Sequence, residues 1–462
     1  MKTAIFWCRN DLRLQDNPAL HWAANNYEKI IILYIDSFSG EPTASEWWKH
    51  EALQDFNFQL NKKLTYRVGK PKKILQTIIK ENNVNSVYWN RRYEPEHIKI
   101  DSEIKSWLET ININARSFPG NLLIEPWNIL KENNSPYKVF TPFFKAALKK
   151  GFLRTIYGKV PTKNIISLPS ELDETYEKRR RPWMKKFEKY WEPTSFGVAE
   201  KLDIFLNEKI SFYEEERDFP SLNACSQMSP FLHFGQISPR ELISLSNPLV
   251  NSEIWMRQVV WREFSHYILF HFPDSEKNNF NPNFDNISWQ NPEGLLIEWQ
   301  KGLTGIPMVD AGMRELWETG FMHNRVRMIV ASYLTKHMQI DWKHGAQWFL
   351  DTLLDADAAQ NSMGWQWAAG SGVDAAPYFR IFNPALQGEK FDQIGNYIRK
   401  WIPEIDQLPN KWIHRPWEAP EDVLYKAKII IGKDYPKPIV DLKEGREKAL
   451  LLWDTIKANN IT

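Results

Sequence analysis

Cysteine is nearly absent from this chain: only Cys8 and Cys225 occur among 462 residues, and they lie far apart. This shortage excludes a disulfide framework and a cysteine-rich zinc site, and it favours a reducing compartment. Long apolar runs are missing as well. No run approaches the about 18 residues of a membrane-spanning helix, and the first residues lack the features of a secretory signal. We therefore expect a cytoplasmic protein that does not associate with membranes.

Charge of one sign is not in excess, because 59 basic and 57 acidic residues leave a net charge of +2. Bulk charge therefore does not mark a nucleic-acid-binding protein, although a local basic surface stays open. Glycine is sparse early in the chain, where only Gly40, Gly69 and Gly120 occur. No GxGxxG loop follows the first predicted strand, which argues against an NAD-type phosphate loop.

The familiar enzyme signatures are also lacking. The sequence contains no GxxxxGK[ST], HExxH, GxSxG or EF-hand pattern. Its histidines are scattered, and the pair His266 and His271 lies in an aromatic segment typical of packing, so we predict no metal site. These absences favour chemistry that is supplied by a bound cofactor.

Tryptophan, in contrast, is abundant, with 22 residues in 462. One interpretation is a large apolar core. The other is aromatic chemistry, namely stacking, redox or a chromophore pocket.

The first part of the chain alternates short apolar runs with helical segments. The predicted strands are Thr3–Cys8, Lys29–Asp36, Leu64–Val68, Ser86–Asn90 and Ala115–Phe118. Strands separated by helices predict βαβ units, and hence a doubly wound, Rossmann-like parallel sheet of five strands.

Later segments lose this alternation. Scattered prolines and few periodic stretches predict a linker over 131–205, between an α/β domain over 1–130 and an all-α domain over 206–462. Within the linker, Glu177–Tyr190 carries a local excess of basic residues. A solvated surface is favoured there over a phosphate-binding stripe.

Three later segments carry residues suited to chemistry. In the first, Ser226, Ser229 and Ser238 stand where helices begin, as phosphate contacts or, more simply, as helix caps. In the second, an aromatic helix face carries an amide and a guanidinium, which suits a flat polar ligand, although core packing is the simpler interpretation. That face is formed by Trp255, Gln258, Trp261, Arg262 and Ser265.

The third segment lies between residues 302 and 384. Asn324 and Met328 are four apart and should be neighbours on one helix face. Arg327 should pair with a carboxylate, either Asp355 or Asp357. Each feature is weak alone, but the three segments together are not.

Together these segments resemble the photolyase/cryptochrome family of flavoproteins. The resemblance rests on SQMSPFLHFGQISP, WREF, TGIPMVDAGMREL, MHNRVRM, DADAAQN, WQW, PYFRIFNP and QGEKFD, with RNDLRLQDNPAL and PYKVFTPFF earlier in the chain. It runs from about residue 3 to 445 and is nearest to the bacterial cyclobutane pyrimidine dimer photolyases of class I and class III.

The resemblance implies an antenna-binding α/β domain and a helical domain that holds bent FAD, reduced to FADH⁻ in the active form. An antenna chromophore, folate or deazaflavin, is also implied, but its identity is open. Arg327 and Asp355 would form an ion pair beside the flavin ring, and Asn361 would face flavin N5. The implied FAD-binding residues are Tyr213, Ser226, Met228, Ser229, Trp255, Arg327, Asp355, Asp357 and Asn361.

The same resemblance implies light-driven repair of cyclobutane pyrimidine dimers in DNA by a monomer without an obligate protein partner. Electrons would reach the flavin through Trp289, Trp342 and Trp365. The flipped-out lesion would contact Gln258, Asn324 and Met328, between the indole walls of Trp261 and Trp367. Arg262, Arg325 and Arg380 would meet DNA phosphates.

Departures from the family pattern keep other functions open. Gln258 replaces the glutamate of most cyclobutane dimer enzymes and looks more like animal (6-4) photolyases, although His323 and Asn324 do not match their two histidines. Cys225 and Phe321 replace a frequent threonine and the usual tryptophan. The alternatives are a cryptochrome-type photoreceptor, a (6-4) photolyase, and a light-independent nucleotide-binding protein. Absence of a C-terminal signalling tail favours the repair enzyme over the photoreceptor.

Overall fold

A computed structural model describes residues 2–152, 155–246, 249, 252–290 and 292–458. Its five parallel strands form one sheet in the order β3-β2-β1-β4-β5, which confirms the predicted doubly wound fold. The strands are β1 Thr3–Cys8, β2 Lys29–Asp36, β3 Leu64–Val68, β4 Val84–Asn90 and β5 Asn114–Phe118. Three of the five, namely β1, β2 and β3, match their predicted bounds. Strands β1 and β2 are apolar runs buried over almost their whole length, as expected for central strands of a parallel sheet, whereas β3 is buried only over its first three residues.

Four helices cross over between these strands. They are α1 Pro18–Asn26, α2 Ala44–Gln59, α3 Pro71–Asn82 and α4 Pro95–Thr110. Local chemistry sets their starts: the Asn17 side chain accepts a hydrogen bond from the Leu20 amide, and Thr43 accepts one from Glu46. Proline opens three of the four helices, where its missing N–H costs nothing.

The polar residues that follow β1 stabilise the carboxyl ends of the neighbouring central strands β1 and β4. Asn90 at the end of β4 donates hydrogen bonds to Asp11 at 2.7 Å and to Asn17 at 2.8 Å. All three side chains are buried, so each needs these partners. In the sequence, this motif, RNDLRLQDNPAL, contributed to the family resemblance without a structural role, whereas in the structure it joins β1, β4 and α1.

The α-helices after β5 are numerous, and most of them are short. They are α5 Phe140–Lys150, α6 Leu172–Arg179, α7 Ser195–Ile204, α8 Tyr213–Glu216, α9 Ser229–His233, α10 Pro239–Ser246, α11 Ser252–His271, α12 Glu293–Lys301, α13 Pro307–Thr319, α14 Asn324–Ser332, α15 Trp342–Thr352, α16 Ala358–Ala369, α17 Pro384–Phe391, α18 Asn396–Trp401, α19 Asn410–Ile413, α20 Glu421–Ala427 and α21 Leu442–Ala458. A π-helical turn, Tyr333–His337, continues α14. Among the described residues, no helix is both long and apolar enough to span a membrane.

Compactness divides the chain into two units. The sheet-containing unit comprises the described residues up to Ser211 together with Ser226–Pro273. The helical unit comprises Phe212–Cys225 together with the described residues from Asp274 onward. The functional division predicted at residues 130 and 205 is a different kind of boundary and stays a prediction.

Two smaller predictions are also settled by the structure. Neither Cys8 nor Cys225 forms a disulfide bond, as their separation indicated. In the basic segment, Arg179, Arg180 and Arg181 pair with Glu46, Glu188 and Glu41 respectively. These pairs support the solvated-surface interpretation over a phosphate-binding stripe.

Candidate functional site

The first two turns of α14 carry two of the predicted lesion-binding side chains. Asn324 is exposed, and its Nδ2 lies 4.0 Å from the Met328 sulfur, as the spacing of four predicted. His323 caps the helix, with Nδ1 accepting a hydrogen bond from the Arg325 amide at 3.2 Å. Burial lowers the pKa of His323 to about 4, so the ring is neutral at pH 7 and able to accept.

The same part of α14 carries Arg327, the cation of the predicted ion pair. Arg327 Nη2 lies 3.2 Å from each carboxylate oxygen of Asp355, and its Nε donates to the Met322 carbonyl at 2.8 Å. The structure thus selects Asp355 over Asp357. Asp357 instead caps α16, where its Oδ1 accepts from the Gln360 amide at 2.9 Å.

Helix α16 positions Asn361 and Trp365 one turn apart. Asn361 Nδ2 donates to the Ala346 carbonyl of α15 at 2.9 Å. The Trp365 ring is buried against Phe349, with centroids 4.9 Å apart, and its indole N–H has no acceptor within the described part of the chain. Sequence reasoning missed Gly345: a Cβ there would lie 2.1 Å from the Trp365 ring.

The other predicted redox tryptophans are divided between two clusters. Trp342 is buried in the same core as Trp365, and its Nε1 donates to Asn279 at 2.9 Å. Trp289 is partly buried and packs in a separate cluster with Phe284 and Tyr378. Trp367, a predicted wall of the lesion pocket, is partly buried against the core that contains Trp365. Their order in electron transfer stays a prediction.

A short segment of the helical unit carries the predicted FAD contact Tyr213. This ring is buried, and the Arg217 guanidinium lies 5.5 Å from its centroid. Asp218 accepts a hydrogen bond from Arg325 Nη2 at 2.7 Å, and the same guanidinium lies 4.4 Å from the Phe391 ring. Arg325, predicted to meet DNA, therefore already has a carboxylate partner and an aromatic one.

A half-buried carboxylate next to the start of α14, that of Glu315, was not found from the sequence. Glu315 accepts a hydrogen bond from the Tyr397 hydroxyl at 2.6 Å and lies 3.5 Å from the His323 amide. Burial raises the pKa of Glu315 to about 7. Its position in the GMREL motif was a usable signal, but only tertiary packing shows that it supports the start of α14.

In the sheet-containing unit, α11 positions four predicted residues. Trp255 is buried, and Gln258 Nε2 donates to the Ile254 carbonyl one turn earlier at 3.2 Å. The Trp261 indole stacks on Phe140 of α5, with centroids 3.7 Å apart and planes 8° apart. Phe140 thus fixes the plane of a predicted lesion wall, a role that its PYKVFTPFF motif did not reveal.

Arg262 is placed unlike a phosphate contact. It is 7% exposed, and its Nη1 donates to the Asn121 carbonyl at 3.0 Å and to Glu263 at 3.1 Å. Because the Arg262 guanidinium already has these two acceptors inside the protein, a structural role is favoured for it. Arg380, the third predicted DNA contact, is exposed.

The serine segment contains one clear structural cap. Ser238 is fully buried, accepts from the Glu241 amide at 3.0 Å and donates to Asp16 at 2.5 Å. Ser226 is partly exposed and accepts from the Met228 amide at 3.4 Å. Between them, Gln227 adopts a left-handed φ of 55°, which turns the chain into α9, where Ser229 is the first residue.

Comparison with known proteins identifies the class. Residues 4–162 match the family described as DNA photolyase, and residues 255–455 match the FAD binding domain of DNA photolyase. The chain belongs to the photolyase/cryptochrome family.

Individual relatives agree with this assignment. The deoxyribodipyrimidine photo-lyase of Agrobacterium fabrum is 43% identical over 99% of both chains. The crystal structure of a bacterial class III photolyase from Agrobacterium tumefaciens has a TM-score of 0.94 and 42% identity, covering 99% of this chain and 98% of that one. Cryptochrome-1 of Arabidopsis thaliana is 33% identical over 96% of this chain and 69% of its own length.

Proposed function

We propose that this protein is a deoxyribodipyrimidine photo-lyase that repairs cyclobutane pyrimidine dimers in DNA under blue light. The observation that carries the proposal is the arrangement on α14. On its first two turns this helix presents Asn324, which is exposed, and Met328, which is half-buried, and it also carries the Arg327–Asp355 pair. Residues suited to a lesion and residues suited to a flavin thus stand within four positions of each other.

The side chains of the helical unit fit FAD as the cofactor. The indole N–H of Trp365 is buried and lacks an acceptor within the described residues. Arg327 is a cation held by a carboxylate and still 25% exposed, which suits contact with a polar ring edge. The residues proposed to hold FAD are Tyr213, Ser226, Met228, Ser229, Trp255, Arg327, Asp355, Asp357 and Asn361. An antenna chromophore stays an expectation from the family resemblance.

Repair requires that the dimer leave the duplex, since its ring cannot otherwise reach a protein-bound cofactor; damage lowers the cost of unstacking. By the family resemblance, Trp261 and Trp367 would each offer a flat apolar face to the extruded dimer. FAD, held by the residues named above, would supply the light-driven one-electron chemistry that splits the dimer without net oxidation or reduction. By the same resemblance, the amides of Gln258 and Asn324 would each hydrogen-bond a pyrimidine edge.

We further propose that Trp289, Trp342 and Trp365 would conduct electrons from an external reductant to oxidised FAD. Burial of Trp365 and Trp342 in one core supports this proposal for the inner two members. The monomeric state, the cytoplasmic location and the domain boundaries at 130 and 205 belong to the proposal as well.

The decisive experiment measures repair of defined cyclobutane and (6-4) lesions by purified protein with its flavin fully reduced beforehand. We expect light-dependent repair of the cyclobutane dimer only. Repair of neither lesion, with FAD bound, would favour the photoreceptor function suggested by the cryptochrome relative. Repair of the (6-4) lesion would instead show that the protein is a (6-4) photolyase, as the likeness of Gln258 to those enzymes suggested.

A Gln258→Glu variant sharpens this test. Charge grows on a pyrimidine carbonyl as the electron arrives, and a protonated acid is a stronger donor to it than an amide. Because one neutral hydrogen bond contributes about 1 kcal/mol, cyclobutane repair per absorbed photon should rise a fewfold. An unchanged yield would show that residue 258 does not contact the reacting carbonyl.

A further inference from the structure

Lys336 is a fully buried lysine that the proposed function does not use. It lies in the π-helical turn after α14 and has 0% relative exposure. Its ammonium donates a hydrogen bond to the Arg380 carbonyl at 3.2 Å and lies 5.3 Å from the Tyr378 ring centroid. Burial lowers its pKa to about 7, which reports how costly the charged form is there.

Stability alone gives a poor reason for this lysine. A buried ammonium loses its hydration, and an apolar residue of similar volume is often neutral or stabilising at such a place. The partners in the structure are a carbonyl and an aromatic ring, which attract a cation but offset its desolvation less well than a carboxylate does. The position of the acceptor therefore points to what the lysine holds.

The acceptor belongs to the segment Pro377–Pro384. In this segment the Arg380 amide donates to the Pro377 carbonyl at 2.8 Å, which closes a turn. Phe379 at the turn is 56% exposed, and Arg380 is exposed beside it. Tyr378 and Phe382 are buried on either side. The turn thus presents an aromatic ring and a cation to solvent from an anchored base.

A second tie comes from the same helix. The Phe382 amide donates to the Ser332 hydroxyl at 3.2 Å, and both residues are buried. Lys336 and Ser332 are four residues apart and bind carbonyl and amide groups two residues apart in the segment. Both groups therefore fix the turn to the helix that carries Asn324 and Met328.

We propose that Lys336 is a positioning residue for DNA binding, which holds the Phe379–Arg380 turn in register with α14 through the Arg380 carbonyl. The inference rests on the proposed function, because it assumes that Arg380 meets a DNA phosphate. Lys336 itself touches neither lesion nor phosphate. Its contribution to DNA affinity is expressed through Arg380.

The test is a double-mutant cycle between Lys336→Met and Arg380→Ala, read as affinity for dimer-containing duplex at two salt concentrations. One phosphate contact changes affinity by about 3.5-fold between about 50 mM and about 200 mM salt. We expect each single variant to lose most of that salt dependence, and the double variant to bind no more weakly than Arg380→Ala alone. Thr335→Val is the matched control, because Thr335 is equally buried but donates to Ala331 within its own helix.

A Lys336→Met effect that is equally large in the Arg380→Ala background would overturn the proposal, since it would show general loosening of the fold. Unchanged DNA affinity in Lys336→Met would overturn it too. If that variant does not fold, Ser332→Ala removes the second tie and enters the same cycle with the same expected result. Wild-type protein that binds FAD but not dimer DNA would instead refute the proposed function.

Discussion

Gly345→Ala should destabilise the helical unit and slow light-driven reduction of oxidised FAD. The added Cβ would lie 2.1 Å from Cη2 of Trp365 and 2.7 Å from Cδ2 of Leu334, whereas ordinary contacts begin at 3.4 Å. The indole must therefore move by at least about 1.3 Å. Trp365 is 2% exposed and packed against Phe349, so it has no free space to enter.

The magnitude follows from two opposing effects. Overpacking a core costs about 1–3 kcal/mol, and this contact is short enough for the upper end of that range. Alanine recovers about 1 kcal/mol of helix propensity, since Gly345 lies inside α15. The net expectation is a loss of about 2 kcal/mol. Because the displaced ring is the proposed electron donor, photoreduction should slow towards the rate of a Trp365→Phe variant.

Gly364→Ala provides the matched control. Gly364 lies next to Trp365 in the same helix as Asn361, but it is exposed, and an added Cβ would meet nothing within 4 Å. This variant should gain about 0.5–1 kcal/mol and photoreduce normally. The assay is absorbance of the flavin under blue light with an external reductant, together with the midpoint of denaturation. Wild-type stability and photoreduction in Gly345→Ala would refute the reasoning.

Three further predictions concern side chains that do not contact the reacting atoms. Asp218→Asn removes the charge from the ion pair with Arg325; because the Asp218 side chain is 37% exposed, the free energy of unfolding should fall by less than about 1 kcal/mol. Because Asp218 lies in the segment that carries Tyr213, FAD binding, measured by flavin titration, should weaken a fewfold, whereas Glu215→Gln at an exposed position should change neither quantity. Phe140→Leu removes the ring that stacks on Trp261, and such a ring pair contributes about 0.5–1.5 kcal/mol. The affinity for dimer-containing DNA should fall about 2- to 10-fold while the FAD content stays unchanged, whereas Phe58→Leu, at an exposed site, should leave the affinity unchanged. The pKa of Glu315 is raised from 4.5 to about 7, so its contribution to stability is fully present below about pH 4.5 and is lost as the pH rises through 7. The free energy of unfolding of Glu315→Gln, measured by denaturation, should therefore rise relative to that of wild type by up to about 3 kcal/mol between pH 5 and pH 8. A difference that does not change with pH would contradict the raised pKa.

The sequence was informative wherever a residue's environment depends on its near neighbours. Strand β2 was predicted with its correct bounds because a run of apolar residues buries itself on both faces of a parallel sheet. The contact between Asn324 and Met328 followed from helical spacing alone. Motif resemblance then supplied Asp355 as a partner of Arg327, which spacing had left open.

Prediction failed where partner choice depends on distant packing. Asp218 reaches Arg325 across 107 positions, and Glu315 reaches Tyr397 across 82. No local pattern marks such pairs. Gly345 was missed for the same reason, because its importance lies in the volume of an indole that belongs to another helix.

Arginine shows most clearly why a predicted contact needs the structure. A phosphate is held by guanidinium donors that are not already committed to acceptors inside the protein. Arg262 is only 7% exposed, and its Nη1 donates to a backbone carbonyl and to a carboxylate. The guanidinium of Arg325 donates to Asp218 and lies over the ring of Phe391. Only for Arg380, among these three, does the structure combine an exposed side chain with a backbone that is itself anchored, at its carbonyl. The hydrogen bond from Lys336 holds the backbone of Arg380 in place, and the exposed guanidinium keeps its donors for the proposed contact with a DNA phosphate.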